Sequence, residues 1–401
     1  MKEERKYDMN RKTLLKLIVL GMLPIVQTAC ENAQNAAIEN LVYINEAASA
    51  KTKEVTMQDE MTRTSVTIRL ARAMDQDVTA ELFLDKDALE SYNRKNETSY
   101  KLPKAEYVSF PEKVTIAAGS VSADPVNIDI KSFETEGAQY AIPISIKKAY
   151  GIDKAEGSSN FMVVLVKPLK QLVPKFHPYN AMQAAPEGSW GMSLPNYTLE
   201  WWCKMSAFST NNQAIFNSGG STELYIRFGD LVYSSGGRYV YNFLQIKTMG
   251  SQFDTGDPTA GNGLEANEWY HFAITYDAAT GTSLLYKNGT QIASLVSATG
   301  QPMIIDKLQM LSSAEFRDAC EMCQVRLWKV TRSANQIKKG MYSEVEYTNQ
   351  DLILYLPMND GEGATTLHDV TGNGHDVEIG NLKPSSPNHA DVTWETYTFA
   401  Q

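Results

Sequence analysis

The chain has 401 residues, a formal net charge of −10 and an isoelectric point near 5.2, a length that suits two or three domains. The acidic balance argues against nucleic acid as a partner, because phosphate backbones are bound by basic surfaces. Short apolar runs separated by Gly and Asn, together with 20 Tyr, are typical of β-sandwiches and not of helical bundles. We therefore predict an all-β protein.

Residues 1–29 predict a signal peptide. A basic start is followed by an apolar run from Leu14 to Val26, which is too short to span a membrane comfortably. The ending Thr28-Ala29-Cys30 resembles the lipobox of bacterial lipoproteins, although Gln27 stands where an aliphatic residue is usual. The resemblance implies diacylation of Cys30 and an outer-membrane anchor, with residues 30–40 as a tether. An ordinary cleaved signal is the alternative.

The mature chain would keep three further cysteines, Cys203, Cys320 and Cys323. An odd number allows at most one disulfide within the chain. Cys320-x-x-Cys323 has the spacing of half a zinc site, but no second pair and no nearby His accompanies it. We expect plain buried thiols, and a bridge from Cys203 to Cys320 or Cys323 is the alternative.

Residues 41–168 predict a first β-sandwich. TRTSVTIRLAR alternates apolar and polar residues, which is the period of a strand. Asp85 or Asp87 is placed to cap a short helix. Further alternating runs bring the total to about seven strands, a number that suits an immunoglobulin-like sandwich.

Three stretches of this region resemble a Bacteroidetes N-terminal domain of unknown function: VTIRLARAMDQDVTAELFLDKDALESYNRKNETSYKLP, VTIAAGSVSADPVNIDI and YAIPISIKKAYG. The resemblance covers residues 38–168. It implies a surface lipoprotein of a glycan-utilisation system, since several such proteins carry a glycoside hydrolase or a sugar-binding domain behind this one. We expect the domain to act as a spacer, and a ligand site within it is the alternative.

The stretch KPLKQLVPKF, at 167–176, contains two prolines and a basic bias. This composition disfavours regular structure. We therefore predict a linker over 169–176 and a second domain, 177–401, that folds by itself.

The stretch EWYHFAITYDAATGTSLLYKNGTQ predicts two successive hairpins. Its apolar residues alternate, and Asn288-Gly289 suits a type I′ turn, in which both central residues need positive φ. Trp269 and Trp328 each sit in the middle of such a strand, so we expect core positions for both.

Five stretches of the second region resemble the laminin G-like branch of the concanavalin A-like lectin and glucanase fold: YTLEWWCKMSAF, STELYIRFG, the double hairpin, EMCQVRLWKVTRSANQIKKGM and DLILYLPMNDGEGATTLHDVTGNGHDVEIG. The resemblance covers residues 178–398. It implies a jelly roll of two antiparallel sheets closing over one core.

Hydrolases on this fold place two carboxylates on one strand, as Glu-x-Asp-x-Glu, for acid and base or nucleophile roles. No Glu of this chain is followed by Asp at the second position. Glu344 and Glu346 have the spacing of a pair but lie in a polar connector. We expect a non-catalytic domain. A glycoside hydrolase with an atypical site and a protein-binding adhesin are the alternatives.

A sugar site without catalysis needs aromatic rings for sugar faces and amides or charged groups for hydroxyls. The loop-rich segment LVYSSGGRYVYNFLQIKTMGSQFDTGDPTAGNG offers both, as does EGSWGMS before it. The candidate residues are Trp190, Tyr233, Arg238, Tyr239, Tyr241, Asn242 and Phe253. Core packing is the alternative for each ring. The combined expectation is a cell-surface lipoprotein that binds an oligosaccharide or polysaccharide and works beside other glycan-uptake proteins.

A calcium site is a further hypothesis. MNDGEGATTLHDVTGNGHD places Asp360, Asp369 and Asn373 in a Gly-rich turn, and Ca²⁺ prefers oxygen ligands on such loops. The run from Asp369 to Gly374 also resembles a turn element of this fold family. In that alternative, Asp369 only holds backbone amides.

Overall fold

The computed structural model describes residues 39–184, 189–311, 316–381, 385 and 390–399. The predicted signal peptide, Cys30 and the tether up to residue 38 lie outside these residues. None of the helices described is both long enough and apolar enough to cross a membrane.

The first sandwich contains ten strands and one α-helix within the described residues. The elements are β1 (Val42–Ile44), β2 (Thr52–Thr56), β3 (Met61–Val66), β4 (Ile68–Leu70), β5 (Val78–Leu84), α1 (Lys86–Asn96), β6 (Val108–Ser109), β7 (Lys113–Ile116), β8 (Val126–Lys131), β9 (Tyr140–Ala149) and β10 (Asn160–Val166).

A five-stranded sheet in the order β2-β10-β9-β5-β7 faces a three-stranded sheet, β3-β8-β6, and β1 pairs with β4. Their inner residues, such as Val66, Ile144 and Phe161, share one buried core. Asp85 caps α1, as predicted, by accepting a hydrogen bond from the Ala88 amide at 3.0 Å. The all-β fold class is confirmed.

The second sandwich begins directly after β10. Its elements are β11 (Leu169–Phe176), β12 (Asn180–Ala184), β13 (Met192–Leu194), β14 (Asn196–Met205), β15 (Gln213–Asn217), β16 (Leu224–Phe228), β17 (Ser234–Ser235), β18 (Arg238–Tyr239), β19 (Leu244–Thr248), β20 (Ser251–Asp254), β21 (Tyr270–Asp277), β22 (Thr282–Lys287), β23 (Thr290–Val296), β24 (Met303–Ile305), β25 (Leu308–Met310), β26 (Cys320–Trp328), α2 (Ala334–Gly340), β27 (Leu352–Leu356), β28 (Thr366–Leu367), β29 (Val377–Asn381) and β30 (Thr393–Phe399).

Two eight-stranded sheets form this sandwich. The first sheet runs β23-β22-β21-β14-β26-β11-β30, with β27 on β26; the second runs β20-β19-β16-β15-β25-β12-β29-β28. Alternate residues of β14, including Leu199 and Trp201, enter the core, whereas Glu200 between them faces outward. The predicted double hairpin is confirmed by the pairing of β21, β22 and β23. Asn288 and Gly289 both have positive φ, at 51° and 74°.

The linker predicted at 169–176 is wrong. This segment is β11, which pairs antiparallel with β30 along its length and with the end of β26. Leu169, Val173 and Phe176 are buried in the second core. The apolar residues at alternate positions decide the structure of this segment. The free energy gained by burying their side chains outweighs the loss of one backbone hydrogen-bond donor at Pro174. The second sandwich therefore begins before residue 177.

The two sandwiches contact each other closely at Gly137. A Cβ atom on this glycine would lie only 2.1 Å from the Val345 carbonyl oxygen. Two polar contacts lie beside it: Lys101 with Glu346 at 2.7 Å, and Gln139 Nε2 with Ser343 Oγ at 3.1 Å. Lys101 and residues 137–139 of the first sandwich thus form a fitted contact with residues 339–346 of the second.

The outer face of the first sheet carries a buried ionic cluster under α2. The Glu200 carboxylate accepts hydrogen bonds from Trp328 Nε1 at 2.7 Å and Arg332 Nη1 at 2.5 Å. Burial opposes the ionisation of Glu200, but Arg332 and Arg326 outweigh it and hold the pKa of Glu200 below its usual value. Burial lowers the pKa of His271, 3.7 Å away, to about 3. Trp328 is therefore buried as expected, but outside the main core.

The three cysteines of the second sandwich are free and buried. Burial raises the pKa of the Cys203 thiol to about 12 and raises those of Cys320 and Cys323 as well. The expectation of plain buried thiols is confirmed. Trp269 is half-buried against the main core, partly as expected.

Candidate functional site

The outer face of the second sheet is the candidate site. In β16, Leu224, Ile226 and Phe228 are buried in the core. Because strand side chains alternate between faces, Tyr225 and Arg227 must point outward. Tyr225 is half-buried and Arg227 is buried, so neighbouring groups cover part of both side chains.

A single polar row crosses the whole sheet. Each strand contributes one residue, and each residue lies opposite the next in the strand register. In sheet order the polar row is Gln252, Lys247, Tyr225, Asn217, Gln309, Gln183, Glu378 and Thr366. Apart from Gln183, whose side chain is outside the description, all are half-buried or exposed. Seven strand spacings make the polar row about 34 Å long.

A hydrogen-bonded group beside the polar row fixes its centre. Arg227 donates through Nε and Nη2 to Gln245 Oε1, at 3.0 and 2.8 Å, and through Nη1 to Asn212 Oδ1 at 2.8 Å. The same Asn212 oxygen accepts the Tyr225 hydroxyl at 2.9 Å. The Tyr225 ring is therefore held in place before any ligand arrives.

Asp230 completes this group. Its Oδ2 lies 2.5 Å from Arg227 Nη2. Burial opposes ionisation of Asp230, but the Leu231 amide and the Arg227 guanidinium outweigh it and keep its pKa below the usual value. The charge of Arg227 is thus balanced at neutral pH, which leaves Lys247, opposite Tyr225 in the register, as the cation beside the ring.

Part of the predicted aromatic segment borders this surface. The Tyr233 hydroxyl lies 3.1 Å from Asp254 Oδ2, and its ring packs edge-on against Phe243 at 5.0 Å. Asp254 lies opposite Gln245 in the register. Burial and the Asp254 carboxylate raise the pKa of Tyr233. Tyr233 therefore lies at the β20 end of the sheet, next to the polar group.

Arg238 and Tyr239 form β18, which pairs with β17 in an exposed hairpin. Tyr239 is 50% exposed, which leaves its ring free for contact with a ligand. Tyr241 and Asn242 lie in the segment that returns to β19. Asn242 Nδ2 donates to the Leu264 carbonyl at 3.1 Å, so this side chain fastens two loops together.

The structure does not bring two of the predicted residues together with the others, because both pack against the main core. Phe253 lies opposite Ile246 on the core face of β20 and packs against the main core. The Trp190 ring lies tilted against His375, with 4.6 Å between the ring centres, and its backbone amide donates to the Asp306 carbonyl. These contacts place it near β29, six strand spacings or about 29 Å from β20. Phe253 was misplaced because its position in the strand turns it to the core face, and Trp190 was misplaced because β29 and β20 lie far apart in the sheet. Neither fact can be read from the neighbouring residues in the sequence.

The predicted calcium ligands are occupied by protein groups. Asp369 Oδ1 accepts the Tyr355 and Thr371 amides, both at 3.1 Å, and Oδ2 accepts the His375 amide at 3.2 Å. Asn373 Nδ2 faces the Ile353 carbonyl as a donor. Within the described ranges no group of three or more acidic, His or Cys residues is placed to hold a metal. Asp360 and Asp369 thus hold the turn through their carboxylate oxygens and Asn373 through its amide nitrogen, while the calcium hypothesis stays a prediction.

The polar row itself was missed from the sequence. Its central members, Tyr225, Asn217 and Gln309, come from three separate strands. The local signal was present in LYIRF and LQIKT, where polar residues alternate with buried ones. Which strands lie side by side could not be read from that pattern.

Comparisons with known proteins agree with this architecture. Residues 179–338 match the family model of the concanavalin A-like lectin/glucanases superfamily, and residues 38–153 match that of an N-terminal domain. The comparison with curated proteins gives no match.

Among solved structures, a Bacteroides ovatus protein assigned provisionally as carbohydrate-binding is 19% identical, with a TM-score of 0.59 over 90% of this chain and 99% of that one. EndoBT-3987 of Bacteroides thetaiotaomicron, with its Man5GlcNAc product, is 24% identical over 31% of this chain and 30% of that one, with a TM-score of 0.28. An SAP-like pentraxin of Limulus polyphemus is 13% identical over 42% and 80%, with a TM-score of 0.32. The first of these shows the same two-part fold.

Proposed function

Since the second sandwich is a concanavalin A-like domain, we propose that it binds an oligosaccharide or polysaccharide along the polar outer face of its second sheet. The observation that carries this proposal is the polar row, in which seven of the eight strands supply a described amide, hydroxyl or charged side chain. Sugar hydroxyls need such donors and acceptors. The length of the row suits an extended chain of several sugar units.

The centre of the polar row supplies both components of sugar recognition. The Tyr225 ring offers an apolar surface for a sugar face, and Asn217, Lys247 and Gln309 surround it with polar groups. Because Asn212 and Arg227 already hold Tyr225, little side-chain entropy is lost on binding. Tyr239, on its exposed hairpin, is positioned to add a second ring near the β20 end.

We further propose that the domain does not cleave its ligand. Glycosidases need two carboxyl groups about 5 to 10 Å apart across the scissile bond. On the described strands of this face, the carboxylates of Asp254 on β20 and Glu378 on β29 stand about 29 Å apart. Asp230 is already engaged by Arg227. This spacing supports binding over hydrolysis.

The cellular setting is also a proposal. Cys30 would anchor the chain in the outer membrane, and the first sandwich would lift the second away from it. In this view the protein is a surface-exposed component of a glycan-utilisation system, beside other uptake proteins. The support is the lipobox-like sequence together with the provisional carbohydrate-binding assignment of the Bacteroides ovatus protein, which shares the whole two-domain fold.

A glycan array on the full mature chain tests the proposal, followed by calorimetry with the best ligand. Gln309→Ala removes one amide from the polar row and should weaken binding about fivefold, the equivalent of one hydrogen bond of about 1 kcal/mol. Gln291→Ala is the matched control, because it removes an exposed strand amide from the other sheet. Equal affinity in the two variants would refute the proposed surface, and conversion of the ligand would indicate the hydrolase alternative.

A further inference from the structure

An aromatic pocket of about 330 Å³ opens on the outer face of the first sheet, on the opposite side of the sandwich from the polar row. It lies between the ends of β14, β21 and β30 and the segment after α2. Five aromatic and four polar residues line it: Trp202, Trp269, Tyr342, Tyr397 and Phe399, with Lys204, Asn267, Glu268 and Asn288. Trp269, Tyr342 and Tyr397 are partly exposed, whereas Trp202 and Phe399 are buried behind them.

The aromatic walls are held by contacts among themselves. Trp202 is fixed by donating its Nε1 to the Met341 carbonyl at 2.7 Å and by packing against Phe399 at 4.9 Å. Trp269 packs against Tyr397 at 5.2 Å, and its Nε1 has no partner among the described residues. Tilted and edge-on ring contacts, together with the Lys204 ammonium over its face, therefore set the position of Trp269. Tyr397 is 38% exposed, so part of its ring remains uncovered at the mouth.

The charge of Lys204 is already balanced, whereas the exposed Glu268 carboxylate adds a negative charge to the lining. Lys204 Nζ lies 2.7 Å from Glu321 Oε2 and 5.3 Å from the centre of the Trp269 ring. The ammonium group therefore has both a carboxylate and an aromatic face as partners. A ligand that brings its own negative charge would have to displace Glu321, so the lining favours a neutral ligand.

The rim supplies polar groups for hydroxyls. Asn267 and Glu268 are exposed where the chain enters β21. Asn288 uses its Oδ1 to accept the His271 amide at 2.9 Å, which leaves its NH₂ group as a donor. Neutral ligands with one apolar face and several hydroxyls match aromatic walls with an amide and carboxylate rim. A pyranose ring has this chemistry, and the volume lies near the lower end for small-molecule pockets.

We propose that this aromatic pocket is a second saccharide-binding site, which takes a single neutral pyranose unit and acts independently of the polar row. The two sites lie on different sheets of one domain. A chain with both would hold a branched or long glycan at two points, and its avidity would exceed the affinity of either site.

The test uses the full mature chain and the methyl pyranosides of glucose, galactose, mannose and N-acetylglucosamine. Binding is followed by saturation-transfer NMR and by tryptophan fluorescence, since Trp202 and Trp269 line the pocket. Tyr397→Ala should weaken binding about fivefold, the usual value of one ring contact. Tyr397→Phe should retain binding, because it keeps the ring.

Tyr347→Ala is the matched control, because Tyr347 is also 38% exposed but lies outside the pocket. Asn267→Gly provides a second probe: it removes the amide and tolerates the positive φ of 63° at this position. It should weaken binding without a lower melting temperature. Gln309→Ala should leave pyranoside binding unchanged, which separates this proposal from that of the polar row. No pyranoside signal in the wild type, or equal binding by Tyr397→Ala and Tyr347→Ala, would assign the aromatic pocket to packing alone.

Discussion

Replacing Gly137 by alanine should loosen the contact between the two sandwiches. Gly137 has φ of +73°, and an added Cβ would lie 2.1 Å from the Val345 carbonyl oxygen and 2.4 Å from its carbon. Ordinary contacts of this kind begin at about 3.5 Å. The backbone at Val345 must therefore retreat by more than about 1 Å, since the glycine backbone has no free space on that side.

The free-energy penalty of Gly137→Ala has two parts that can be measured separately. A left-handed backbone costs an alanine about 1–2 kcal/mol wherever it occurs. The retreat of Val345 also stretches the neighbouring Lys101–Glu346 and Gln139–Ser343 contacts, worth about 1 kcal/mol each or less. Gly119→Ala isolates the first part, because Gly119 has φ of +80° and nothing within 4 Å of the added Cβ. Only the Gly137 variant should disturb the interdomain contact.

Hydrogen exchange followed by mass spectrometry measures this difference locally. Gly137→Ala should raise exchange in peptides covering 97–101, 137–140 and 341–346, with the core amides of β14 unchanged. Gly119→Ala should leave those peptides as in the wild type. If both variants show the same protection there, the sandwiches are not held by the fitted contact at Gly137, and the reasoning from the close approach fails.

Three further predictions concern the rest of the chain. A fragment of residues 177–401 should melt well below one of residues 168–401, because the shorter one lacks β11 and exposes its partner β30; equal melting temperatures would contradict this role. Stability should fall as the pH drops from about 6.5 towards 3, because unfolding lets His271, whose native pKa is about 3, take up a proton; a His271→Gln variant that keeps the full slope would exclude this group. Radiolabelled palmitate should enter the wild type but not Cys30→Ala, and equal labelling would disprove the lipid anchor.

Local patterns were sufficient wherever structure depends on residues close in the chain. The double hairpin at 268–291 followed from alternation and from Asn288-Gly289, and the short helix followed from a break in the alternation after Asp85, one of the two residues predicted to cap it. The segment 169–176 shows the limit of composition. Its prolines and lysines indicated a linker, yet the apolar residues at alternate positions joined the second core.

The candidate site could not be predicted from local sequence patterns. The sequence by itself determined the all-β class, the two domains' resemblances, and the polar character of alternate residues in β16 and β19. Only the tertiary structure decided that Tyr225, Asn217 and Gln309 are neighbours and that Phe253 and Trp190 are not. The physical reason is that antiparallel pairing joins strands far apart in sequence, and a shift of one residue turns a side chain from surface to core.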